Sequence, residues 1–278
     1  MPSKDEIISG FRKFVVFCAT NTLSVKFYER IYESVLWNHI KEGKIPNHIG
    51  IILDGNRRWA QSRGLRSGIG HSEGAKKVED LMDWCREVGK IKTITLYVFS
   101  TENFQRSQEE VGEIMLLLGE YFRALLTDKR IHNNKIRIKI MGDRRMLPPT
   151  IEEYVTELEE KTKDYKEYFV NMAVAYGGRA EILDAVKKIA VDIEEGKLSS
   201  NELNEETIKN HLYTSFLPNP YPDLIIRTSG EERLSNFLIW QSAYSELCFL
   251  DVYWPAFRKI DLMRAIRVYQ QRKRRWGA

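Results

Sequence analysis

Short runs of consecutive apolar residues alternate along this chain with longer stretches in which apolar residues recur every three or four positions. The runs fall at 51–53, 93–99, 136–141, 168–175 and 224–226. Uninterrupted apolar sequence of that length, rich in β-branched and aromatic residues, predicts strands buried on both faces. Between the runs the helical period takes over. A polar, glycine-rich loop at 63–70 leads to a helix from about His71, with Ala75, Val78, Leu81, Met82 and Cys85 on one face. Another helix starts near Gln108, where Val111, Ile114, Met115, Leu118, Tyr121, Phe122 and Leu125 make a broad apolar stripe. Further helices are predicted at 178–195, 205–212 and 261–275. The sustained βαβα alternation predicts an α/β fold: one domain over 45–278, with a central, mainly parallel sheet flanked by helices. Ahead of it, 1–44 reads as an N-terminal helical extension, broken near 21–24 and ended by Pro46.

Polar residues gather where the strands stop. The first run ends in Asp54, Gly55, Asn56, Arg57 and Arg58, and a helix opens at Asn56. Ligands of open α/β sheets bind outside the carboxyl ends of the strands, so an anion is expected here. Gly55 lets the backbone approach and the arginines suit phosphate, whereas Asp54 would repel it unless the two share a hard divalent cation. Asp54 thus reads as a magnesium ligand; the plain alternative is a helix cap beside two solvated arginines. The second run ends in a polar stretch that includes Asn103, Phe104 and Arg106, and the fifth in Arg227, followed by Arg233 and Ser235. Two such mouths imply two anions. His71 reads either as a phosphate donor or proton carrier, or as a capping residue. The broad stripe after Gln108 reads either as core packing or as one wall of a slot for a hydrocarbon chain.

Composition narrows the class. The 278 residues are 43% hydrophobic and can bury a full core, yet no apolar run approaches the length of a membrane span. Cys18, Cys85 and Cys248 are odd in number and scattered, which points to a reducing cytoplasm. The charge of +4 is modest, and without a basic face or aromatic platform nucleic acid is not an expected partner. Lys26, Arg30 and Lys41 beside an apolar stripe in the N-terminal helices allow a second location, at a membrane surface, though packing on the body is the simpler role.

The motifs DGNRRWA, GHSEGA, LYVFSTENFQRS, YGGRAEI and DLIIRTSGEERLSNFLIWQSAYSEL, closed by RWG, occur in that order from about Ile45 to the end. In them the chain resembles the cis-prenyltransferase family. The resemblance implies a homodimeric α/β fold with a hydrophobic tunnel. It implies an enzyme that extends an allylic prenyl diphosphate with isopentenyl diphosphate units, each new double bond Z, to a polyprenyl diphosphate that serves as precursor of a glycan carrier lipid. It implies Mg²⁺ and no redox cofactor. Residue by residue, Asp54 matches the family's magnesium-binding aspartate and Asn103 the asparagine that assists proton removal. Gly55, Asn56, Arg57, Arg58 and Trp59 match the allylic diphosphate loop, with His71, Phe104 and Arg106 beside it. Arg227, Arg233 and Ser235 match the isopentenyl diphosphate site, with Glu246 near the metal, and Arg275 to Gly277 match a terminal motif that reaches the partner subunit. One position departs: the family often has arginine where this chain has Ser67, and Arg66 one place earlier is the candidate replacement.

Two rivals lose ground on the residues. A phosphatase with an aspartate nucleophile wants a second acid two residues on, where this chain has Asn56. A non-catalytic supporting subunit has no need of Asp54, Asn56, Arg58 and Arg106 together.

Overall fold

The structure, a computed structural model, describes residues 22–272, with side chains from residue 29 onward. They separate into two compact units. The larger, Pro46–Phe257, is an α/β domain built on a six-stranded parallel sheet of order β3-β4-β2-β1-β5-β6. Its strands are β1 (His48–Ile52), β2 (Thr93–Ser100), β3 (Ile136–Met141), β4 (Tyr168–Tyr176), β5 (Leu224–Arg227) and β6 (Glu246–Phe249). β1 and β5 are buried at every position, which is why their sequences carry no alternation. The chain steps from β1 outward through β2, then returns to the other flank of β1 with β5, so the order reverses at β1. A crevice is expected at that point, above the carboxyl ends of the strands.

The first five strands fall where the apolar runs predict. β6 does not, because Glu246, Leu247 and Phe249 on this edge strand are only half-buried and leave no continuous apolar signature. The helices of the domain are α2 (Asn56–Gln61), α3 (Ser67–Val88), α4 (Gln108–Leu125), α5 (Lys129–Asn133), α6 (Pro149–Thr162), α7 (Gly178–Glu194) and α8 (Glu205–His211).

The start of α3 corrects the sequence reading: the helix begins at Ser67, so part of the expected loop, with Gly68 and Gly70, is helical. Glycine weakens a helix by about 1 kcal/mol relative to alanine, and packing supplies the reason it is present. A Cβ on Gly70 would lie 2.2 Å from the Asn56 carbonyl oxygen, and one on Gly74 would lie 2.4 Å from Asn56 Oδ1. The glycines let α3 press against α2, and the buried Trp254 indole donates to the Gly74 carbonyl at 2.8 Å to close the junction.

On the α4 side of the sheet, Ile114, Met115, Leu118 and Phe122 pack with Ile151, Val155 and Leu158 of α6 and with Ile138, Ile140, Val170 and Met172. The stripe of α4 is therefore mostly core, and its Ile114 also lines the cleft at the strand ends. Alongside its C-terminal half lies an apolar cavity of about 80 Å³, lined in part by Val78, Met82, Ile94, Tyr121 and Leu125. Beneath the strands a buried polar group bridges β1, β2 and β4: the His48 ring meets Thr95 Oγ1 at 2.8 Å and the Asn219 carbonyl at 3.0 Å, and Asn171 Nδ2 donates to the same Thr95 oxygen.

The smaller unit contains α1 (Thr22–Ile40) and α9 (Lys259–Gln271), which pack on each other. Arg258 pairs with Glu29 at 2.7 Å, Arg264 lies over the Tyr32 ring, and Gln270 donates to the carbonyl of Ile40, the last residue of α1. Among the described residues no helix is long and apolar enough to cross a membrane. The expected break near 21–24 sits at the edge of the described chain, where α1 starts at Thr22.

Candidate active site

The carboxyl ends of β1, β2 and β5 open into one cleft of about 770 Å³. Asp54 is its centre. Just beyond β1, its backbone N–H donates to Thr228 Oγ1 at 3.0 Å and its carbonyl accepts from that hydroxyl at 2.7 Å. These bonds tie the end of β1 to the residue that follows β5. Asp54 is not a helix cap: Gly55 occupies that place, at φ 105° and with no side-chain cap. A Cβ on Gly55 would stand 2.7 Å from the Tyr253 ring, so both conformation and space require glycine.

The Asp54 carboxylate lies between two arginines. Arg227 Nη2 donates to one oxygen at 2.7 Å and Arg58 Nη2 approaches the other at 3.3 Å. Burial pushes this carboxyl up, but the Arg227 hydrogen bond and charge, with Ser229 and Arg58, outweigh it and hold Asp54 below the usual carboxylate range. Asp54 is a carboxylate at neutral pH. Arg58 also reaches Ser229 Oγ at 2.7 Å and Glu231 at 3.0 Å, and Arg233 closes on the same Glu231. Arg227 donates its remaining fork to Ser235 Oγ at 2.8 Å and to the Arg233 carbonyl.

Across the cleft, Glu110 on the first turn of α4 gathers two further arginines and a histidine. Arg106 pairs with it at 2.9 Å, Arg57 at 3.9 Å, and His71 Nε2 stands 3.6 Å away. His71 lies one turn inside α3, which removes the capping reading. Burial, then the Arg106 charge, depress its pKa against the pull of Glu110, so the ring is neutral at pH 7, with Nε2 buried and making no hydrogen bond. Asn103 caps the short turn after β2, its Oδ1 accepting from Ser100 N–H at 3.0 Å. Val98, Phe99 and Ile114 give the same cleft an apolar part of its lining.

The structure therefore brings Asp54, Gly55, Asn56, Arg57, Arg58, His71, Asn103, Arg106, Arg227, Arg233 and Ser235 to one cavity. It places four expected residues elsewhere. Trp59 is turned away, with Arg63 stacked 4.5 Å above its ring. Phe104 packs edge-on against Phe99 behind the wall. Arg66, the residue preceding α3, pairs with Glu113 at 3.2 Å outside the cleft. Glu246 opens β6, in register with Leu224 at the amino end of β5, while Asp54 is held by Arg227 at the carboxyl end. Arg275 and Gly277 lie outside the described residues.

Sequence reasoning missed Glu110 and Glu231, which hold the arginines. Glu110 had a signal, four residues after Arg106 in a helical phase; Glu231 had only its place between two arginines. Among the described residues no three metal-type side chains cluster. The half-buried Asp54 carboxylate, set among anion donors, does fit magnesium, which takes one or two carboxylates and completes its shell with phosphate oxygens and water.

Comparison with known proteins gives the family. Residues 52–277 match the family model described as "Putative undecaprenyl diphosphate synthase". The chain is 50% identical over 255 residues to the tritrans,polycis-undecaprenyl-diphosphate synthase (geranylgeranyl-diphosphate specific) of Methanopyrus kandleri, covering 92% of this chain and 93% of that protein. It is 51% identical to the enzyme of the same name from Thermoplasma volcanium, over 89% of this chain and 95% of that one. Among solved structures, lavandulyl diphosphate synthase from Lavandula x intermedia, in complex with dimethylallyl diphosphate, superposes with a TM-score of 0.80 at 35% identity, covering 84% of this chain and 99% of that one.

Proposed function

The chain belongs to the undecaprenyl diphosphate synthase family, the cis-prenyltransferases, and on that premise we propose that it extends geranylgeranyl diphosphate with isopentenyl diphosphate units to a long polyprenyl diphosphate with Z double bonds. One observation carries the reading: five arginines around the Asp54 carboxylate in a cleft that Val98, Phe99 and Ile114 also line. That layout suits two diphosphate heads and one hydrocarbon chain. Geranylgeranyl diphosphate as primer follows the names of the relatives at about 50% identity.

In this mechanism Arg58, Arg57 and Arg106 bind the allylic diphosphate and Arg227, Arg233 and Ser235 bind the second. The allylic C–O bond breaks and its electron pair leaves with the diphosphate. The alkene of isopentenyl diphosphate attacks the freed carbon, a proton leaves the adjacent carbon, and an oxygen of the released diphosphate takes it up. Asn103 orients this step without acting as the base, since an amide is not basic and its Oδ1 is already used by Ser100. Asp54 and the substrate oxygens would hold Mg²⁺, which supplies charge neutralisation to the leaving group. Val98, Phe99 and Ile114 receive the chain and exclude water.

The working unit of this reading is a homodimer, with Arg275 and Gly277 completing the partner's isopentenyl diphosphate site. Its place is the cytoplasm, with peripheral contact at a membrane surface where so apolar a product ends. Incubating the protein with labelled isopentenyl diphosphate, Mg²⁺ and primers of increasing length, then sizing the products, tests the activity. Absence of elongated product from every primer overturns it. For the dimer, mixing a subunit lacking 275–278 with an Asp54→Ala subunit should restore activity, because one site per mixed dimer then has both an intact Asp54 and a donated tail. No restoration in demonstrated mixed dimers excludes donation in trans.

A further inference from the structure

Three loops meet above the carboxyl ends of β2, β4 and β5, and one side chain joins them. Asn236 Nδ2 donates to Glu102 Oε1 at 2.9 Å, on the turn after β2. Its Oδ1 accepts from Arg179 N–H at 2.9 Å and its carbonyl from Gly178 N–H at 2.7 Å, in the turn after β4. That junction is tight. A Cβ on Gly177 would stand 2.7 Å from Asn236 Nδ2, and one on Gly178 would stand 3.0 Å from the Asn236 carbonyl oxygen. Asn236 directly follows Ser235, whose hydroxyl Arg227 holds, and Glu102 directly precedes Asn103. Both Asn236 and Glu102 line the cleft.

The two joined loops are unequally built. The turn after β2 secures itself, with Ser100 and Asn103 capping each other's backbone. The loop carrying Ser235 holds Ser229, Ser235, Asn236 and Leu238 at φ between 45° and 79°, none of them glycine. Non-glycine residues in that region are strained, asparagine least, and persist only where surrounding contacts impose them. The loop is therefore held from outside. Burial pushes the Glu102 carboxyl up, but its own backbone N–H, Asn236, Ser100 and Thr101 bring it below the ordinary range, so it stays an acceptor.

We infer that Asn236 is a positioning residue: by bonding to Glu102 it fixes Ser235 and Arg233 in place against the turn that carries Asn103, and so sets the affinity of the isopentenyl diphosphate side. The kinetic consequence rests on the proposed condensation; the tie itself does not.

Asn236→Asp is the informative change. Aspartate tolerates the left-handed backbone and keeps the acceptor for Arg179 N–H, but sets a carboxylate against that of Glu102. Adding Glu102→Gln supplies an amide that donates to the new carboxylate and restores the tie with its polarity reversed. In Asn236→Asp the KM for isopentenyl diphosphate should rise about tenfold, with that for the allylic substrate changing less than about twofold. Amide exchange at 235–238 should accelerate by about tenfold in the same variant. The double variant should recover both to within about threefold of the parent. Unchanged exchange, equal rises in both KM values, or losses that Glu102→Gln does not recover would each overturn the inference. If the parent condenses nothing, the proposed function fails, while exchange and its recovery still decide whether Asn236 ties the loops.

Discussion

The two anion-facing mouths, after β1 and after β5, look alike in sequence and are built in different ways. After β1 the chain needs one unusual residue, Gly55, before α2 begins, and regular helix takes over at Asn56. After β5 the backbone runs irregularly from Thr228 to β6, and its strained positions are serine, asparagine and leucine. The first mouth is shaped locally, by a glycine and a helix. The second is shaped by side chains that arrive from other strands: Tyr97 donates to the Ser235 carbonyl at 3.1 Å and stacks on Phe237, and Asn236 reaches Glu102. A local device fails when its own residue changes, whereas a device held from outside fails when a distant partner does.

The largest expected effect joins the two mouths. Asp54→Ala removes the carboxylate that Arg58 and Arg227 share, and turnover should fall by at least about 10³-fold, because the lost interactions belong to the transition state. Pyrophosphate affinity, read by calorimetry, should change only a few-fold. Retained turnover would separate the mouths functionally.

Gly55→Ala attacks the local device. The new Cβ meets the Tyr253 ring and backbone and a forbidden φ together, so unfolding free energy should fall by about 3 kcal/mol in urea titrations. A loss below about 1 kcal/mol would show that the mouth after β1 is also held from outside.

The feet of the two strands share a pH dependence. Burial pushes His48, at the start of β1, down to about 4 from its ordinary 6.5, against the pull of the Asn219 carbonyl and Asp223. Unfolded chains bind that proton near 6.5 and the folded chain refuses it until about 4, so stability is full above 6.5 and is lost as pH falls through the interval. At roughly 1.4 kcal/mol per unit, the loss approaches about 3 kcal/mol. His48→Gln should flatten this slope in denaturation series whatever its effect at neutral pH; an unchanged slope assigns it to other groups.

Tyr97→Phe gives the smallest change and the sharpest contrast. It should cost about 1 kcal/mol of stability and raise the isopentenyl diphosphate KM about threefold, leaving the allylic KM unmoved. Equal shifts in both would remove the distinction between the mouths.

What the sequence made legible follows the same division. Buried parallel strands announce themselves, and Asp54 to Arg58 sit within five residues, so the sheet and the first mouth could be read directly. The opening of α3 could not, because Gly70 and Gly74 look like loop until Asn56 is seen against them. The place of Glu246 at the start of β6, level with the amino end of β5, could not be read either, because this edge strand carries no continuous apolar run. The roles of Tyr97, Glu102 and Asn236 were invisible, since each depends on a partner 79 to 138 positions away.

Among the described residues the five arginines of the cleft each rest against an acid of their own chain: Arg58 and Arg227 on Asp54, Arg106 and Arg57 on Glu110, Arg233 on Glu231. Such a cleft behaves as an ion exchanger. An incoming anion does not fill bare positive charge; it evicts carboxylates, and its valence decides whether the exchange is favourable. A monophosphate or sulfate replaces one pair at a time, while a diphosphate spans several arginines and replaces several at once. The resting pairs also hold the guanidinium groups near their working positions, so little ordering remains to be done on binding. Selectivity for diphosphates over the more abundant single phosphates is thus written into the acids of the site as much as into its bases, and free pyrophosphate, the by-product, becomes its natural competitor.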